Sequence, residues 1–300
     1  MNRLPLYLII IVVVLFSCKR ATQNEIKVVR QKDSVAEKKG ELQRMKEKQY
    51  VRSVKDTVEI LKKFFSPDTI ITMPTFWKHD TGKIVKVAIW KPDADAEFNM
   101  NISEDGKCHT NIDTIMEIPG SKGERYLIVF TTLEVMKDSS LGGCHSCGAD
   151  YGAAFLVYDK PSGVYGIENY TRKFTSAGNF GGTSDSIALT DFGRDYALLI
   201  RSGFTQSGEC METDEFFDAR FFDAIFTVQG CDIYDAIDST ESTSVIRNMS
   251  FLPGAGHNGY KDIKVSVVNS YFSKPTKNQV TEKSTEYYTW NGNEGRYEKK

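Results

Sequence analysis

The chain of 300 residues carries 38 Lys and Arg against 40 Asp and Glu, a net charge of −2, with 40% hydrophobic and 12% aromatic side chains. That apolar content excludes a wholly disordered chain, and 23 Gly without a triplet period exclude collagen. A near-neutral balance argues against nucleic acid as a partner, which needs a basic footprint, and the length fits two average domains or one large β domain.

Arg3 supplies a short positive start, and residues 4–16 form an apolar run broken only by Pro5. A membrane span needs about 20 residues, so the run reads as a cleaved signal peptide over residues 1–17. An uncleaved anchor and a plain secretory signal are the alternatives. The run ends in Leu15-Phe16-Ser17-Cys18, which resembles a bacterial lipobox, with the bulky Phe16 departing from the commonest pattern. The resemblance implies cleavage before Cys18, a thioether diacylglycerol on its sulfur and an acyl chain on its new amino group. Several acyl chains anchor stably where a single one does not. No acid follows Cys18 before Glu25, whereas surface-directed lipoproteins of the Bacteroidota carry an acidic cluster there. By that comparison the expected place is the periplasmic face of a bacterial outer membrane.

Residues 18–50 read as a lipidated basic tether. Over residues 18–63 there are 14 Lys and Arg against 7 Asp and Glu, whereas residues 64–300 carry a net of −10. A polar, cationic stretch of this kind stays solvated as a spacer, and its charges also suit anionic lipid or cell-wall polymer. Residues 51–82 are assigned to an amphipathic helix and linker: Val51, Val54, Val58, Leu61 and Phe65 recur at alternating spacings of 3 and 4, and Ser66-Pro67 ends the helix.

Residues 83–300 are expected to form the head. Apolar residues there recur at every second position, as in Val85, Val87 and Ile89, in Phe98, Met100 and Ile102, and in Ile263, Val265 and Val267. Further strands are predicted at residues 125–135, 152–158, 164–170, 186–190, 196–201, 221–228 and 285–290, with turn clusters between them. Short strands without intervening helices predict a mainly β head, an antiparallel meander, sandwich or propeller-like sheet.

Six Asp-(Ser/Thr)-(aliphatic or Thr) tripeptides resemble the O-glycosylation sites of periplasmic Bacteroidota proteins, which makes Ser34, Thr57, Thr69, Thr114, Ser186 and Ser239 candidate acceptors. Average composition yields about one or two such tripeptides, and ordinary turn and capping residues are the competing account.

Beyond Cys18 there are five cysteines, an odd number that leaves one thiol over in an oxidising compartment. Cys210 and Cys231 flank a predicted hairpin and are disulfide candidates. Cys144 and Cys147 lie in Gly142-Gly-Cys-His-Ser-Cys-Gly148, where a local bridge is the favoured reading. The alternatives are a thiol-redox couple, which lacks a helix after the motif, and zinc, which would need Cys108, His109 or His145 as further ligands. No His-Glu-x-x-His or Gly-x-Ser-x-Gly motif occurs, and no catalytic residue is assigned. Ten acids fall between Glu209 and Glu241, including Glu212, Asp214, Glu215, Asp218, Asp232, Asp235 and Asp238, against a single Arg220. The run is assigned as an acidic binding patch for a basic protein, with Ca²⁺ or the chain's own tether as alternatives and a merely solvated surface as the plain account. No cofactor is expected beyond the covalent lipid.

The C-terminal Tyr288-Thr-Trp290-Asn-Gly292…Tyr297, the Cys-His-x-Cys loop and Gly152-Ala-Ala-Phe155 together resemble exported bacterial lipoproteins of the Bacteroidota type with an all-β head. That resemblance transfers no catalytic residues. The expected function is that of a membrane-anchored binding or envelope-interaction module, the alternative being an enzyme working through Cys144 and Cys147.

Overall fold

In a computed structural model the chain divides into two units, Met1–Gln49 and Tyr50–Lys300. The described residues are 50–75, 82–92, 106–134, 148–178, 183–184, 186–206, 209–234, 243–254, 256–273 and 278–300, all in the second unit. Among them the fold is mainly β. Strand β1 (Tyr50–Val51) and helix α1 (Thr57–Phe65) come first, followed by β2 (Thr69–Pro74), β3 (Ile84–Trp90), β4 (Cys108–Glu117), β5 (Arg125–Glu134), β6 (Ala149–Asp159) and β7 (Val164–Ala177). Strands β2 to β7 form a sequential antiparallel meander, and β1 pairs with the outer edge of β7 to make a seven-stranded sheet. The chain then builds a second meander of eight strands: β8 (Ser186–Asp191), β9 (Tyr196–Gln206), β10 (Glu209–Asp218), β11 (Ala224–Tyr234), β12 (Thr243–Phe251), β13 (Ile263–Ser273), β14 (Asn278–Asn291) and β15 (Arg296–Lys299). Neither sheet closes into a barrel. The antiparallel meander predicted from the period-two pattern is what forms, as two sheets.

Helix α1 is shorter than the sequence stripe suggested. Asp56 caps it, accepting a hydrogen bond from the Glu59 amide at 2.9 Å, and Ser66 ends it in the left-handed region. Val51 lies in β1 and Val54 in the turn before the cap, so the buried helical face is Ile60, Leu61, Phe64 and Phe65. Residues 51–82 are therefore more than a helix and linker. They supply both edges of the first sheet, because β1 pairs with β7 and β2 pairs with β3, and the head begins at Tyr50.

The centre of the first sheet is covered on both faces. Ile128, Phe130, Ala154 and Leu156 point toward α1, where Phe130 meets Phe64 and Phe65 at ring-centroid distances of 5.2 and 5.0 Å. The intervening Leu127, Val129, Ala153 and Phe155 face Leu198, Ile200 and Phe217 of the second sheet. Two-sided burial explains the unbroken apolar run at residues 127–130, which a half-exposed strand would alternate with polar residues. Gly152 has a close-packing role: a Cβ there would lie 2.3 Å from the Arg172 carbonyl oxygen, at a bulge where β7 crosses tightly. The far face of the second sheet folds over its own core, in which Phe192, Phe216, Ile263, Val265 and Tyr297 are buried.

Phe130→Ala is expected to cost about 3–5 kcal/mol, because it empties the space between the sheet and both helix phenylalanines. The measurement is the urea midpoint of the full chain. A fall in midpoint at constant slope is expected, and an unchanged midpoint would mean that α1 contributes little to stability.

Candidate functional site

The residues singled out from sequence are dispersed in the structure. Cys18, Ser34, Cys144, Cys147, Asp235, Asp238 and Ser239 lie outside the described residues, as do the side chains of Glu209 and Cys210. Thr69 is exposed at the start of β2, whereas Thr57, Thr114 and Ser186 are half-buried. Cys108 is the one free cysteine among the described residues. It is fully buried, and burial, reinforced by Glu134 and Asp150, pushes its thiol up to about 12. That thiol is inert at neutral pH. Cys108 and His109 are neighbours on β4, and strand alternation sends them to opposite faces, so they do not converge on one metal. Among the described residues no group of three His, Cys, Asp or Glu side chains is arranged to hold a metal ion.

The acidic run does not form one patch among the described residues. Antiparallel pairing sets Arg201 of β9 opposite Asp214, and the guanidinium donates to both carboxylate oxygens at 2.6 and 2.7 Å while standing 3.3 Å from Glu212. Glu215 points to the other face, where burial raises its carboxyl and the Thr175 hydroxyl donates to it at 3.4 Å. Asp218 is tied into the β10–β11 turn, and Asp232 is exposed. A window counted along the sequence missed Arg201 because it comes from the neighbouring strand.

What the fold does assemble is a groove of about 690 Å³ where turns of the two sheets meet. Its first-sheet side includes Pro119, Arg125, Val157 and Glu168, and its second-sheet side includes Asp195, Arg220, Phe221 and Trp290. Each wall is fixed by local chemistry. In the turn after β10, the Asp218 carboxylate accepts the amides of Arg220 and Phe221 at 2.8 and 2.7 Å, and burial holds its pKa above the usual carboxylate range. Phe222 takes a left-handed φ of 65° and buries its ring near Phe174. A bulky residue in that region costs about 1–3 kcal/mol and persists only where its surroundings hold it. The result is that Phe221 stands 58% exposed at the groove. This turn is fastened to the first sheet, because Asn169 donates to the Arg220 carbonyl at 2.9 Å and the Arg220 guanidinium pairs with Glu168.

The opposite wall is the β8–β9 turn docked onto the loop before β13. Gly193 has φ 106°, and a Cβ there would come within 2.5 Å of the Gly259 carbonyl oxygen. The Lys261 amide donates to the Phe192 carbonyl at 2.8 Å, and the Tyr260 hydroxyl donates to Asp195 at 2.9 Å. Tyr260 stacks on Trp290 with ring centroids 4.0 Å apart and planes 19° from parallel. Tyr260 and Trp290 come from segments, residues 254–260 and 288–297, that carry no catalytic or binding motif of their own. Their convergence with Asp195 and Phe221 depends on how the second sheet folds over, which no local spacing encodes.

A second polar cluster is buried at the end of β5 remote from Arg125. Thr131 donates to Asp113, Asn111 donates to the same carboxylate at 3.4 Å, and Tyr151 exchanges hydrogen bonds with the Ser184 hydroxyl and amide at 3.1 and 2.7 Å. Asp113 sits at a bulge of β4, and burial pushes its carboxyl up to about 6 from an ordinary 3.8 despite those donors. The folded state thus binds this proton more tightly than the unfolded chain. The stabilisation is complete below the ordinary value, declines as pH rises between the two values, and is lost above about 6. The difference in urea midpoint between the natural chain and Asp113→Asn, followed over that pH window, is expected to move in favour of the Asn variant as pH rises. A difference independent of pH would mean that Asp113 is solvated.

Comparison with protein-family models, with curated proteins and with solved structures gave no match.

Proposed function

We propose that this protein is a lipid-anchored binding module of the bacterial envelope, held through Cys18 on the periplasmic face of the outer membrane, with the inter-sheet groove of its β head as the ligand site. The observation that carries this reading is the groove: a concave surface of about 690 Å³ that combines the exposed Phe221 ring with polar groups set by turn hydrogen bonds. Concavities of this size with a few fixed polar groups are the usual form of ligand sites. The lipobox-like Leu15-Phe16-Ser17-Cys18 supports the anchor, and the cationic residues 18–50 support a solvated tether between membrane and head. A Cys210–Cys231 bridge belongs to the same reading. The oxidised state of Cys231 supports it, while the register sets Cys210 two positions from the residue directly opposite Cys231. Its role is to brace the β10–β11 hairpin, whose turn carries Phe221.

Two measurements test the reading. Intact mass of the full-length product from a lipoprotein-processing host should show loss of residues 1–17 and a gain of acyl mass, and Cys18→Ala should release the protein from the membrane fraction. An unmodified Cys18 would remove the anchor. In the second measurement the protein is sedimented with isolated cell-envelope polymer. Binding should fall on Phe221→Ala with no change in Tm, since that ring is largely exposed. Envelope binding indifferent to this substitution would remove the groove from the reading.

A further inference from the structure

We propose that the groove takes a neutral saccharide, a step that rests on the reading of the head as a binding module and names its ligand class. Charge is the first argument. The groove is lined by three guanidinium groups, Arg125, Arg194 and Arg220, and three carboxylates, Glu168, Asp195 and Asp218. Arg220 pairs with Glu168, and Arg194 stands 3.7 Å from Asp195. An anionic ligand would meet as many carboxylates as guanidiniums, and a cationic ligand would face the converse. Neither sign is selected.

A sugar hydroxyl suits such a surface because it both donates and accepts. One hydroxyl can give its proton to a carboxylate and take one from the neighbouring guanidinium, so each ion pair becomes a two-point reader of a neutral polyol. Such bonds to charged groups are stronger than those between neutral partners. The exposed ring of Phe221 supplies the other half of the site, and Trp290, half-buried against the buried Tyr260, lines it beside that ring. A pyranose presents one face of C–H groups that packs against an aromatic face while its hydroxyls point outward to polar neighbours.

The backbone argues against an extended peptide as the occupant. Adding a strand requires unpaired main-chain groups along an edge. At this groove the amides of Gly193, Arg220 and Phe221 already donate to Asp191 and Asp218, and the Phe192 carbonyl accepts from Lys261. What is offered is side chains. The turns that present them are fastened across the sheets, so a ligand meets a surface already in place and loses little affinity to ordering it.

The test is isothermal titration of the full-length protein, held in a detergent without a sugar headgroup, with neutral di- to tetrasaccharides of hexose and N-acetylhexosamine units. At least one series is expected to bind saturably, with Kd rising about tenfold or more in Phe221→Ala and in Arg194→Gln while Tm stays near that of the natural chain, both side chains being largely exposed. The inference is overturned if no neutral saccharide saturates the protein, if binding is unchanged in both variants, or if only sugars carrying carboxylate or sulfate bind. The envelope sedimentation assay separates the two levels. Groove-dependent sedimentation without saccharide binding overturns the ligand class alone, whereas loss of both overturns the binding-module reading as well.

Discussion

The architecture depends on burying both faces of β5 and β6. A sheet with one apolar face needs one partner layer, but a sheet whose central strands are apolar throughout needs two. Leu127 and Val129 demand cover on one side while Ile128 and Phe130 demand it on the other. The chain meets the two demands with different means. Nine residues of α1 cover one face through four large side chains, and the second sheet supplies the other cover through β8 to β10. Only part of the second sheet is used in this way. Its later strands enclose a core of their own around Phe192 and Phe216, and the turns joining the two regions are what surround the groove.

Aromatic packing sets the shape of that junction. Phe192 lies 5.2 Å from Phe216, 4.9 Å from Phe251 and 5.5 Å from Tyr297, which ties β10, β12 and β15 to the β8–β9 turn. Rings at these distances add about 0.5–1.5 kcal/mol per pair beyond the area they bury. The Tyr297 hydroxyl donates to the Lys261 carbonyl at 2.8 Å, fastening the last strand to the same loop. The C-terminal hairpin thus shares its core with the turn and loop that carry Asp195 and Tyr260.

Much of the strand plan was legible because period two is a local signal. Strands β3, β5, β6, β7, β8, β9 and β13 fall where apolar alternation or an apolar run marked them. Strands β4 and β12 were missed because their sequences, Cys-His-Thr-Asn-Ile-Asp-Thr-Ile-Met-Glu and Thr-Ser-Val-Ile-Arg-Asn-Met-Ser-Phe, carry polar residues at positions that pairing or burial satisfies only in the fold. Thr110 is an example: it is fully buried, accepts from the Trp90 indole at 2.8 Å and shares a hydrogen bond with Thr132 at 2.7 Å. The described part of the acidic run is divided for a related reason. Net charge along a segment ignores both the two faces of a strand and the Arg201 that its neighbour brings. The groove was legible only in its parts, since its two walls come from turns far apart in the chain.

Two half-buried acids show how the same physics yields different roles. Asp113 and Asp218 are both raised by desolvation, but Asp113 lies within the sheet among hydroxyl and amide side chains, whereas Asp218 accepts two backbone amides on one oxygen at the lip of the groove. The first is a cost absorbed by a core with ample apolar burial. The second is a structural clamp, because the carboxylate that holds Arg220 and Phe221 also fixes where their side chains leave the turn. The left-handed Phe222 beside them would relax if its ring were not buried. Strain at that turn is therefore offset by the core shared between the two sheets, so any change that loosens the inter-sheet packing should also unsettle Phe221. The stability of the head and the shape of its groove are coupled through one residue, and that coupling is what makes the aromatic lip a rigid feature rather than an exposed accident.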